Sequence, residues 1–413
     1  MGWRFRGNEL KYLKEILLSD LKLPPSKSMI YRFEQKLKEI FKIPYAISTT
    51  SGTAALHQAL LAFGIRPDDE VIVSPLTPLM CQEAIIYCRA KPVFADINSD
   101  TFLIDPVDIR NKITTKTKAI MAVHMCGHIC DMDAIMSIAR EKKLWILEDC
   151  AQCQLGIDAK GRIVGTIGDI GIFSFDGVKM LTSGEGGAII TKSINLAERI
   201  RKAGYTGFKN VTPETGSVSV VDPLRFQDPS YLRHDSVGFN YIMSEFTAAV
   251  ALAQLERIDY FLKKRVAMAD LYKQALGNCE WLRPQLVPAG HKLTYWTYAV
   301  VFEGQEKLGI NWYEFRDKFI QMGGDKARAA LALAYNDPAM FNLSQTGCLF
   351  VDQYGQCENL KGFLDGNNSC PNAEYLQPRL MYFTTNQKNK KEMQKQADAL
   401  RKTIEYFEQD LRA

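Results

Sequence analysis

Between residues 45 and 149 the chain alternates short apolar runs with helical stretches, and this alternation limits the fold more than any other feature. YAIST, EVIVS, KPVFADI, KAIMAVHM and WILED read as strands, and TAALHQALLAFG, CQEAIIYCRA and DMDAIMSIAREKKL as the helices between them. A short helix in a loop precedes KAIMAVHM. Strands and helices joined by short connections predict a mainly parallel sheet with helices on both faces. In such sheets ligands sit beyond the carboxyl ends of the strands. The polar residues at those ends are Thr50, Ser51, Gly52 and Thr53, then Thr77, His124 and Asp149. The topology gathers them at one edge.

Flanking this core, NELKYLKEILLS and SMIYRFEQKLKEIF read as two one-sided helices, an arm over residues 1–44 that packs on the body or on a second subunit. The sheet continues through AIITKS and the helix INLAERIRKAG within a large domain over 45–250. Residues 205–236 read as a long loop. One unbroken helix is predicted from SEFTAAVALAQL through DLYKQAL, leading into a smaller α+β domain over 251–413. That domain contains the strand YWTYAVVF, the helix WYEFRDKFIQMG, a loop-rich middle over 324–378 and a polar terminal helix from Lys388.

The bulk composition removes several function classes. The 51 basic and 47 acidic residues leave a formal charge of +4, which gives no reason to expect nucleic acid or an anionic membrane as a partner. No apolar run is long enough to span a bilayer, and MGWRFRGNELKYLKEILLS lacks the apolar core of a signal peptide. The ten cysteines then read as reduced thiols, and the protein as cytoplasmic.

Three features carry chemistry. At Ser51-Gly52-Thr53 a strand turns into a helix, exposing amide groups at the positive end of a helix dipole, where phosphate binds. An ordinary N-cap uses the same residue types. Asp149 ends a strand buried on both faces, where a carboxylate needs a cationic or donor partner; a protonated pyridine nitrogen, a salt bridge or a helix cap each qualifies. Lys179 lies between the apolar GIFSFDGV and the glycine-rich MLTSGEGG, either a nucleophilic amine in a partly dry pocket or a surface lysine on a hairpin. Together, a phosphate turn, an anionic partner and a Schiff-base amine suit pyridoxal 5′-phosphate.

Rival motifs fit less well. Cys150 and Cys153, Cys126 and Cys130, with His124 and His128, can be drawn as a zinc site, but Cys150 follows a buried strand end and the pairs fall among scattered cysteines. No metal is assigned. GTIGDIG precedes a strand and so fails as a dinucleotide turn.

TSGTAALHQAL, DEVIVSPLT, AKPVFADI, EDCAQ, GDIGIFSF, the Lys179 loop with GEGG, and GFNYIMSEFTAAVALAQLE resemble the sugar aminotransferases of the DegT/StrS type. The likeness is close over residues 30–275 and looser through GGDKARAALALAYNDPAMF and CPNAEYLQPRLMYFTTN. The resemblance implies a fold-type I pyridoxal-phosphate enzyme that moves an amino group from glutamate to a nucleotide-linked keto sugar. A cyclitol ketone or sugar phosphate is the alternative acceptor, and a non-catalytic regulator of the same fold a further one. It implies Lys179 as the Schiff-base lysine, Asp149 as partner of the pyridine nitrogen and Gln152 near the phenolic oxygen. Ser174, with Ser51, Gly52 and Thr53, is implied at the phosphate, and Asn240 at the phosphate of a neighbouring subunit's cofactor, hence a homodimer with shared sites. Two positions depart from the family pattern: Pro78 stands where a ring-stacking aromatic is usual, and Ile242 where a basic residue is common.

Overall fold

The computed structural model describes residues 2–214, 224, 227–347, 358–364 and 369–409. Its larger sheet has seven strands among these residues: β1 Tyr45–Thr49, β2 Glu70–Val73, β3 Lys91–Phe94, β4 Thr117–Val123, β5 Trp145–Asp149, β6 Ile170–Ser174 and β7 Gly187–Thr191. They lie in the order β1-β7-β6-β5-β4-β2-β3. Only β7 runs against the rest, pairing antiparallel with both β1 and β6. The carboxyl ends of β1, β4, β5 and β6 therefore share one edge with the start of β7. Register then sets the neighbours there, with Val123 opposite Asp149, Asp149 opposite Ile172, and Ser174 and Thr49 each opposite Gly187.

The helices are α1 Glu9–Leu18, α2 Met29–Phe41, α3 Gly52–Phe63, α4 Met80–Tyr87, α5 Pro106–Lys112, α6 Met132–Lys142, α7 Ile194–Gly204, α8 Glu245–Leu255 and α9 Ile258–Leu276. Local chemistry sets their ends. Ser28, Ser51, Asp131, Ser193 and Ser244 each cap an N-terminus by accepting a backbone N–H. Gly64 ends α3 at φ 78°, where a side chain is costly. One face of the sheet packs against α3, α4 and α6, and the other against α2 and α8. There Phe33 meets Phe175 edge-on at 5.3 Å, and Phe41 lies 4.6 Å from Phe173.

The predicted helix over 244–276 is two helices. At the break the Arg257 N–H bonds to Gln254 O, a tightened last turn, while the Arg257 side chain donates to Arg4 O and the Glu256 carboxylate accepts from Tyr12 and Asn8. No proline or glycine marks the site. The N-terminal segment bends the chain here. After the break α9 leads to a second, antiparallel sheet in the order β10-β11-β9-β8, made of Leu282–Pro284 (β8), Thr297–Phe302 (β9), Arg328–Ala329 (β10) and Leu380–Thr384 (β11). Together with Trp312–Gln321 and the terminal helix Lys390–Gln409, it closes a separate core around Phe315, Phe319 and Phe383.

Candidate active site

The shared edge of the larger sheet opens into a cavity of about 440 Å³ lined by Ser51, Gly52, Thr53, Asp149, Gln152, Ser174 and Lys179. Seven of the eight candidate site residues thus meet in one place. The eighth, Asn240, is exposed and does not line it.

At one end of the cavity is the start of α3. The Ser51 hydroxyl is taken by Ala54 N–H at 3.1 Å, so it serves as the N-cap while the Gly52 and Thr53 amides begin the helix. A Cβ on Gly52 would lie 2.8 Å from Ser174 Cβ, so β6 and α3 approach this closely only because position 52 has no side chain. Ser174 lies beneath that turn, with Asp176 N–H reaching its Oγ at 3.4 Å. The turn is held from outside by Tyr241, whose carbonyl accepts from Thr50 N–H and Thr49 Oγ1. Asn240 is thereby fixed next to the turn along the chain.

Asp149 forms the middle. It is only 5% exposed, and its Oδ1 accepts Ala151 N–H at 2.9 Å. The other oxygen, Oδ2, has just the Cys81 thiol at 3.4 Å. Burial, then the Asp149 charge, push that thiol well above its ordinary pKa, so Cys81 stays a neutral donor. A buried carboxylate with one weak partner on Oδ2 is an acceptor waiting for a cationic donor. Gln152 is turned by its neighbours: Oε1 accepts Cys126 N–H at 2.8 Å, with Cys126 held at φ 60°.

Lys179 stands on the loop between β6 and β7, its Nζ 5.2 Å from the centre of the Trp296 ring. Arg4, from the N-terminal segment, donates to the carbonyls of Gly177, Lys179 and Met180 at 2.9, 2.5 and 3.1 Å. Trp296 Nε1–H holds the carbonyl of Val178 at 3.1 Å. Four successive carbonyls are thus tied, and the backbone of the loop carrying Lys179 is clamped by two distant side chains. Neither Arg4 nor Trp296 is legible in sequence, because each reaches the loop across more than a hundred residues. Pro78, Val123 and Leu331 supply apolar walls, with no aromatic ring among the residues lining the cavity.

The cysteines take another course. Glu148 accepts from Gly165, Ile167 and Gly168 N–H groups and faces His124 Nε2 at 3.2 Å. His124, Glu148 and Cys150 bring their donor atoms together. However, the carboxylate is taken by these four groups, His124 Nδ1 accepts Cys130 N–H, and burial holds the Cys150 thiol far above its ordinary pKa. This is a packed polar knot beneath the sheet end, and its chemistry is that of a support.

The family model for DegT/DnrJ/EryC1/StrS aminotransferases matches residues 6–330. The chain belongs to this family. It is an aminotransferase, and relatives across the family agree. It is 37% identical over 315 residues to GDP-perosamine synthase of Escherichia coli O157:H7, covering 76% of this chain and 80% of that one. It is 38% identical over 281 residues to the spore coat polysaccharide biosynthesis protein SpsC of Bacillus subtilis, covering 68% and 70%. Among solved structures, the aminotransferase from Psychrobacter cryohalolentis superposes with a TM-score of 0.83 at 27% identity, covering 98% of each chain. The fold is that of the fold-type I aminotransferases, a mostly parallel sheet flanked by helices with a small antiparallel sheet after it.

Proposed function

We propose that this aminotransferase uses pyridoxal 5′-phosphate to move an amino group from glutamate to a nucleotide-linked keto sugar. The observation that carries the cofactor is the half-satisfied Asp149 carboxylate, which faces the same cavity as Lys179 and the amide end of α3. The volume, about 440 Å³, lies in the range of sites that enclose a small ligand. Gly52, Thr53 and Ser174 would hold the phosphate, and Asp149 Oδ2 would hold the proton of the pyridine nitrogen. Gln152 would stand beside the phenolic oxygen.

When bound, the cofactor supplies an electron sink for the carbanion formed at the donor's α-carbon. The protein moves the proton. Lys179 Nζ would take the α-proton of the amino donor and give it back on the cofactor side of the linking nitrogen, acting as base and then acid. The clamp by Arg4 and Trp296 fixes the backbone from which that amine swings, so it makes both transfers from one position. Asp149 Oδ2 would meet the ring nitrogen by a direct hydrogen bond rather than through solvent.

The sugar acceptor rests on the relatives named GDP-perosamine synthase, in Escherichia coli, Vibrio cholerae and Caulobacter vibrioides, at 34–37% identity. A cyclitol ketone is the second acceptor, because a relative 33% identical over 282 residues in Streptomyces kanamyceticus is named L-glutamine:2-deoxy-scyllo-inosose aminotransferase. We place Asn240 at the neighbouring cofactor of a homodimer; its exposed position beside the Tyr241-held turn agrees with that role. Cytoplasmic location is part of the same proposal; among the described residues no helix is long and apolar enough to cross a membrane.

The test is the absorbance spectrum of the purified protein before and after glutamate. Wild type should show a visible band that moves to shorter wavelength, and Lys179→Ala should lose both band and transamination. Turnover retained by Lys179→Ala would sink the assignment. Turnover with a panel of nucleotide-linked keto sugars and with 2-deoxy-scyllo-inosose then separates the two acceptors.

A further inference from the structure

Asp149 Oδ2 accepts from one side chain among the described residues, the Cys81 thiol at 3.4 Å. The opposite oxygen is held by Ala151 N–H at 2.9 Å, so the two bonds together fix the plane of the carboxylate. Cys81 lies in the first turn of α4, is 1% exposed and lines the cavity that holds Asp149 and Lys179.

The turn that presents Cys81 is a network of buried polar groups. Gln82, 0% exposed, donates from Nε2 to Ser74 O at 3.0 Å and to Thr77 Oγ1 at 2.8 Å. Thr77 Oγ1–H donates to Ser74 O at 3.2 Å, and Cys81 N–H to Pro78 O at 3.0 Å. These bonds set where α4 begins, and so where the thiol stands. If packing were its only task, a small apolar side chain would fill the place of Cys81 as well. The thiol adds a donor. Burial first, then the Asp149 charge, keep it protonated, so the sulfur donates and the carboxylate accepts. S–H is a weak donor beside a hydroxyl. A hydroxyl would form a strong charge-assisted bond and draw off more of the negative charge. The thiol orients the oxygen and leaves that charge in place.

We propose that Cys81 is a positioning residue of this aminotransferase: its thiol turns Asp149 Oδ2 towards the ring nitrogen of the cofactor and leaves that oxygen basic enough to hold the ring proton. The role rests on the reading of pyridoxal phosphate as cofactor. Cys81 acts through Asp149 and takes no part in proton transfer itself.

The first experiment needs no cofactor. Infrared spectra of the purified protein in the S–H stretching region, wild type minus Cys81→Ala, isolate this one thiol among the ten. Its band should lie below the position of a free thiol, and the same difference taken in an Asp149→Asn background should lie closer to it. The second experiment loads the protein with pyridoxal phosphate and follows the visible band with pH. The midpoint should rise in Cys81→Ala, since a ring that holds its nitrogen proton less firmly withdraws less charge from the Lys179 nitrogen. With it kcat should fall about tenfold, the worth of one hydrogen bond to a charged group, while KM for glutamate changes little. Cys81→Val keeps the bulk without the donor and should behave like Cys81→Ala, whereas Cys81→Ser should recover part of both losses. An S–H band at the free-thiol position overturns the bond. A wild-type midpoint and kcat in Cys81→Val overturn the positioning role and reduce Cys81 to packing. The two readings fail separately: a wild type that gains no visible band removes the cofactor, and the infrared shift does not depend on it.

Discussion

At the scale of single residues, the site depends on one missing side chain. Gly52 lets the end of β6 lie under the first turn of α3, with 2.8 Å from its built Cβ to Ser174 Cβ. Gly52→Ala must therefore push the first turn of α3 off Ser174. Overpacking of this kind costs about 1–3 kcal/mol. We expect a lower melting temperature and cofactor affinity reduced more than stability, read by thermal melts with and without added cofactor. A variant that binds cofactor as wild type does would show that the two elements part freely. These residues were legible in sequence because a strand end, a small turn and a helix start leave a local signature. The partners of Asp149 and Lys179 were not legible. Cys81, Arg4 and Trp296 arrive from distant segments, and nothing in their local sequence distinguishes them from packing residues.

At the scale of elements, one buried ion pair ties α2 to the sheet. Glu34 of α2 and Arg201 of α7 are 1% and 0% exposed and meet in a fork at 3.0 and 2.7 Å. Glu34 Oε1 also accepts Ser48 N–H and Oγ–H, both at 2.8 Å, so one carboxylate joins α2, α7 and β1. Glu34→Ala leaves the guanidinium of Arg201 unpaired and should cost about 3–5 kcal/mol in urea denaturation. Glu34→Leu with Arg201→Leu should recover much of that loss. If the double variant is no better than the single one, the pair's value is not in its charge balance. The alternating strands and capped helices were readable because periodicity and capping act locally. The break between α8 and α9 was not, since contacts of Arg257 and Glu256 with the N-terminal segment override a sequence of good helix formers. The strands β8 and β10 were missed for a related reason. They span three and two residues, and pairing rather than pattern makes them strands.

For the whole molecule, two buried histidines contribute to the response to acid. Burial holds His57 at about 4, against an ordinary 6.5, and takes His128 to about 3. Below pH 6.5 the unfolded chain takes up protons that the folded chain refuses. Stability is thus fully present above about pH 6.5 and is lost as pH falls through 4 and then 3. At about 1.4 kcal/mol per pH unit, His57 alone should remove about 3 kcal/mol by pH 4. Urea midpoints measured from pH 7.5 to 4.5 check this, and His57→Phe should flatten the slope. An unchanged slope would place the acid sensitivity elsewhere. The mainly parallel sheet and the gathering of strand-end residues at one edge followed from the alternation of elements, whereas the strand order with its antiparallel β7 did not. The shape of the loops over 205–236 and 324–378 did not, and parts of both, residues 215–223, 225–226, 348–357 and 365–368, lie outside the described structure.

The clamp on the lysine loop also orders events in time. Arg4 precedes the carbonyls it holds by 173 to 176 residues, and Gln254 and Arg257, which hold the Arg4 carbonyl, follow by 250 and 253. On a ribosome making about 5–20 residues each second, Arg4 waits some ten seconds or more for its partners. The sheet can assemble in that interval with its lysine loop unfastened. Fastening of the Lys179 loop is therefore a late event in synthesis, reached only after α8 has emerged to seat the beginning of the chain.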